Sequence, residues 1–226
     1  LMFQKVLTSA VFTGFGAGLL AALLQFTFVQ PVLLRAELFE SGALMHFGAD
    51  GTPVPELTFT VDARRDGLSI LFTALIYTGY AMVLSAAMAF AARRGHAINL
   101  RSGLLWGIAG FVTVQLAPAF SLPPELPGSA AAEVGARQVW WFATIVTTAV
   151  ALGLIAFGRN WIAILIAAAL ILAPHLVGAP HTADYIGPVP PELAGLFAAR
   201  ALGVGLMAWS ILGALIGLIW SREAEP

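Results

Sequence analysis

Six apolar stretches, at residues 6–34, 68–92, 103–120, 139–158, 161–178 and 201–220, make up most of this 226-residue chain, and nearly every charge falls between them. A helix rises about 1.5 Å per residue, so about 20 apolar residues cross a hydrocarbon core roughly 30 Å thick. The bilayer interior has no water to satisfy a backbone amide, and a helix satisfies its own. The expected fold is therefore all-α: a polytopic membrane helix bundle of six transmembrane helices in three hairpins, with Pro-rich outer loops and a single membrane domain over 1–226.

Composition points the same way, with 59% hydrophobic and only 10% charged residues, far from a soluble domain. The net charge of -1 and the lack of a basic block give nucleic acid no footprint. Cysteine is absent, which removes disulfides, thiolate metal sites and thiol nucleophiles.

Two boundaries need argument. Residues 139–178 as one helix would be about 60 Å long, twice the apolar thickness. The count of five or six spans therefore turns on Arg159-Asn160, which reads as a tight turn between antiparallel spans. Pro31, Pro118 and Pro174 lie near the outer ends of the odd-numbered spans, where loss of an amide donor should kink or stop each helix. Residues 35–67 then form a long outer loop.

Six spans put both termini on one side. The short loop from Arg93 to Arg101 is basic and has no acid, whereas the opposite loops are rich in Asp and Glu, so both termini are expected in the cytoplasm. The outer face is then net negative and gathers cations, although a plain solvated loop surface would look the same.

Small-xxx-small pairs occur at Gly14 and Gly18, Gly103 and Gly107, and Gly213 and Gly217. Such pairs let helix backbones approach closely in lipid. The amides Gln25, Gln30 and Gln115 must find partners within apolar spans, either gluing helices or lining a path. Glu125 with Arg137, and Glu192 with Arg200, are placed to pair across a hairpin mouth. Trp140, Trp141, Trp161 and Trp220 read as interfacial anchors.

The chemically richest segment runs from Pro174-His175 through Gly178, Pro180 and His181 to Asp184. Gly178 and Pro180 let the chain turn back, so His175, His181 and Asp184 can meet around a borderline divalent ion such as cobalt. The bland reading is an interfacial His bonded to a neighbour. No catalytic residues are identified: a His-Glu-x-x-His helix, a phosphate-cradling Gly loop and a nucleophile elbow are all missing.

Met2-Phe3-Gln4, the stretch 116–128 with its Pro-Pro-Glu-Leu-Pro-Gly, Ala136-Arg137-Gln138-Val139-Trp140-Trp141, and the stretch 174–181 with its Pro-His-Leu-Val-Gly-Ala-Pro-His together resemble the cobalt transporter subunit CbtA family. The resemblance implies a bacterial inner-membrane protein that imports Co2+ for vitamin B12 synthesis, beside a small single-span subunit with a His-rich tail. No bound cofactor is implied, and Co2+ is cargo. By position Glu125, Arg137, His175 and His181 take the motif places. The chain departs from the family pattern at Gln115, where a His is common, and at Leu68-Ser69-Ile70, where polar residues are usual. Those losses motivate a second reading, a non-transporting accessory subunit packed into a respiratory or photosynthetic membrane complex.

Overall fold

The apolar runs become helices, and the α-helical starts at residues 63, 100, 134 and 161 are set by short polar caps. The computed structural model describes residues 2–45, 62–182 and 187–224, and every regular element in them is helical. The order is α1 (Met2–Leu24), a π-helical segment (Gln25–Val29), α2 (Gln30–Glu40), α3 (Ala63–Arg93), α4 (Leu100–Phe111), a second π-helical segment (Val112–Leu116), α5 (Ala117–Ala119), α6 (Val134–Phe157), α7 (Trp161–Val177) and α8 (Pro191–Ala224).

The caps are local chemistry. The Asp62 carboxylate accepts from the amides of Arg64 and Arg65, both at 3.0 Å, and starts α3. Asn99 and Ser102 exchange bonds at 2.9 and 3.0 Å and start α4 in the manner of a capping box. Between α6 and α7 the chain is extended at Gly158, and the Asn160 side chain accepts from Ala163 N at 2.9 Å. Arg159-Asn160 is therefore a turn between two helices.

Among the described residues, five helical stretches are long and apolar enough to cross a membrane: Leu7–Glu40, Ala63–Arg93, Leu100–Ala119, Val134–Phe157 and Pro191–Arg222. The sixth, α7, is shorter at 17 residues, the lower end of the spanning range. Large apolar side chains face outward, as at Phe12, Val83 and Val139, which is what lipid requires of a bundle's surface.

Pro118 and Pro174 lie close to helix ends, as expected, but Pro31 acts differently. Pro31 does not end its helix, which continues to Glu40 and places Arg35 and Glu37 on α2 rather than in a loop. The reason is the π-helical segment just before it, where Gln30 N–H donates to Gln25 O, five residues back. The wider turn absorbs the loss of a proline donor that would leave an α-helix one bond short. A second π-helical segment, Val112–Leu116, precedes Pro118 in the same way. Two later helices also begin before the apolar runs, α6 at Val134 and α8 at Pro191, because Glu133 and a proline at the first position each favour helix initiation.

The chain divides into two units. The first comprises residues 1–30, 57–111 and 203–226. Here Gly14 and Gly18 bring α1 against α3, so closely that an added Cβ would lie 2.6 Å from Thr78 Cα and 2.5 Å from Ala74 Cα. Gly103 and Gly107 of α4 interlock with Gly213 and Gly217 of α8, where a Cβ on Gly213 would meet Gly107 Cα at 2.6 Å. Trp209 fills the slot beside Gly110 and stacks on Tyr80, with ring centroids 4.6 Å apart. Thr73 donates to the Gln25 side-chain oxygen at 3.2 Å, so this amide joins the first π-helical segment to α3.

The second unit comprises residues 31–56 and 112–202. It contains α2, the second π-helical segment, α5, α6, α7 and the first part of α8, and it carries the motif residues.

Candidate functional site

The site grows from the Pro-rich segment after α5 and the facing ends of α6 and α7. Glu133 caps α6, accepting from Gly135 N at 2.8 Å and Ala136 N at 2.7 Å. Those two amides hold its carboxyl below the usual glutamate range. Within the first turn of α6, Arg137 Nη2 lies 2.7 Å from Glu125 Oε2, with both side chains about three-quarters buried. This ion pair ties the Pro-Pro-Glu-Leu-Pro-Gly segment to the helix, and Leu126 beside it is buried. Gly128, at φ 78°, makes the turn that follows.

Trp140, one turn further along α6, is buried rather than placed as an interfacial anchor. Its indole N–H donates to the carbonyl of Pro174 at 3.0 Å. That carbonyl also receives the amide of Gly178 at 3.1 Å, and Gly178, at φ 90°, ends α7. Trp161 is exposed.

His175 follows Pro174 in the last turn of α7. Its Nδ1 lies 2.8 Å from the Ser121 hydroxyl. The ring meets Phe120 and Trp140 edge to face, at centroid distances of 5.2 and 5.9 Å. Three contacts thus fix the imidazole, and among the described residues its Nε2 has no hydrogen-bond partner. His181, exposed beyond the α7 end, places Nδ1 3.0 Å from the carbonyl of Ala179. Asp184 lies outside the described residues. Among the described residues no three His, Asp or Glu side chains gather as a ligand cluster.

The structure brings Glu125 to Arg137, but sets Glu192 and Arg200 about two turns apart along α8 rather than across a hairpin mouth. Gln115 lies in the second π-helical segment, and its Oε1 is buried without a partner among the described residues. Sequence reasoning missed Ser121, Phe120 and the inward role of Trp140. The one signal for Ser121 was its place at the head of the Pro-rich stretch; nothing in the linear sequence ties it to His175.

The site offers a fixed imidazole at the end of a membrane helix, a second imidazole on the segment that follows, and a carboxylate neutralised by an arginine. Neutral nitrogen donors suit a borderline divalent ion. The model of a family described as "Probable cobalt transporter subunit (CbtA)" matches residues 3–221. No curated protein and no solved structure matches the chain.

Proposed function

The chain belongs to the CbtA family, and on that basis we propose that it is the membrane subunit through which a bacterium takes up Co2+. The observation that carries this reading is the family match over nearly the whole of a multi-pass helical chain. The role is transport, not catalysis. His175 and His181 receive the ion, with Asp184 as the oxygen ligand, at the outer end of the second unit. The chain lies in the inner membrane with both termini in the cytoplasm, and the acidic outer loops raise the local concentration of cations.

The spans carry no buried carboxylate at their centres to couple ion movement to protons. Energy and initial metal capture therefore fall to partner subunits, among them a small single-span protein with a His-rich tail. A non-transporting accessory subunit is the second reading, and it rests on Gln115, an amide and a poor metal ligand, at a place where the resemblance to the family implies a His. Uptake of radioactive cobalt by cells that lack other cobalt importers separates the two. Accumulation that requires this chain together with its small partner supports transport; accumulation identical without this chain overturns it.

A further inference from the structure

We infer that Ser121 is the positioning residue for His175: its hydroxyl takes the imidazole Nδ1–H and so turns the Nε2 lone pair toward an incoming divalent cation. This inference rests on the reading of His175 as a cation ligand.

The geometry supplies the argument. Neutral imidazole carries one proton, and a metal can bind only the nitrogen that lacks it. With Nδ1 2.8 Å from Ser121 Oγ, a proton on Nδ1 is satisfied by the serine oxygen. Nε2, without a partner among the described residues, is then a free lone pair. Metal-binding His commonly donates its other ring N–H to a fixed acceptor, and loss of that acceptor weakens binding.

A hydroxyl has a property that a carboxylate lacks. Serine both donates and accepts, so by rotating its own proton it serves either tautomer of the ring. In the empty site Ser121 can donate to Nδ1 while Nε2 carries the proton; on loading the roles reverse. Phe120 and Trp140 hold the ring plane meanwhile, and the Trp140 bond to Pro174 fixes the backbone from which the ring projects. Cation entry then needs a proton to change nitrogens, through solvent, but no movement of the ring.

The test uses the purified full chain in lipid nanodiscs, with Co2+ as the ligand for affinity and diamagnetic Zn2+ for nitrogen-15 NMR of labelled histidine. His175 is assigned by comparison with His175→Asn. In the unmutated chain, Zn2+ should move His175 to the form protonated at Nδ1, with the metal shift on Nε2. Ser121→Ala should weaken Co2+ binding by about 10-fold or more, and Ser121→Thr, which keeps the hydroxyl, should restore it. A loaded His175 protonated at Nε2, or Ser121→Ala binding Co2+ as tightly as the unmutated chain while His175→Ala binds weakly, overturns the inference and leaves the cation reading standing. Unchanged binding by His175→Ala removes that reading, and this inference with it.

Discussion

The indole N–H of Trp140 donates to the carbonyl of Pro174 at 3.0 Å, so the residue that starts the inward face of α6 also fixes the end of α7. Trp140→Phe keeps the ring and removes the donor. The expected loss is about 1 kcal/mol, read as a lower unfolding midpoint of the detergent-solubilised chain. Because the same carbonyl still receives Gly178 N–H, the helix end should survive. Stability equal to that of the unmutated chain would show that this bond contributes nothing net.

A second expectation concerns the glycine seams. Gly213→Ala places a Cβ 2.6 Å from Gly107 Cα, a backbone atom that cannot swing away. Overpacking of this kind costs about 1–3 kcal/mol. Gly203→Ala, on the same helix, meets nothing within 4 Å and should be neutral or gain up to about 1 kcal/mol of helix propensity. The contrast is measured by parallel denaturation of the two variants, and equal behaviour would contradict the seam.

The Glu125–Arg137 pair is neither fully buried nor fully exposed. A double-mutant cycle through Glu125→Gln and Arg137→Gln should return a coupling of about 1–2 kcal/mol, above a surface pair and below a buried one. The cycle matters because Arg137 Nε is buried without a hydrogen-bond partner among the described residues, so the single arginine variant changes more than the ion pair.

Glu133 gives a pH dependence. Its carboxyl is held below the ordinary value of 4.5 by two backbone amides. A depressed folded-state value means that the cap contributes in full above the unfolded value, and that the contribution is lost as pH falls through the folded one. Amide exchange at Gly135 and Ala136 should therefore lose protection as pH falls below 4.5, beyond its intrinsic pH trend. Glu133→Gln, which cannot ionise, should remove that dependence.

The sequence made the helices legible because lipid leaves so few alternatives. Apolar length located the spans, and Arg159-Asn160 was readable as a turn because a continuous helix would be twice too long, whereas the Asn160 cap on α7 emerged only from the structure. Pro31 was misread for a physical reason: a missing donor is visible in sequence, whereas the wide turn that compensates for it at Gln25–Val29 is a cooperative backbone adjustment with no residue code. The glycine pairs were visible individually, but not that those of α4 and α8 would meet. Trp140 was assigned to the interface by its position at a span end, and only the facing α7 carbonyl reveals an inward partner. Ser121 and His175 are distant in sequence, and no local pattern joins them.

The most direct measurement is cobalt flux into proteoliposomes that contain the purified chain and the proposed small single-span subunit, compared with the His175→Ala, His181→Ala double variant incorporated in equal amount. The expected result is time-dependent radiocobalt accumulation that falls by about 10-fold or more in the variant, in line with the loss of ligands from a metal site. Accumulation unaltered by the double substitution would contradict the assignment of the broken end of α7 as the cation site.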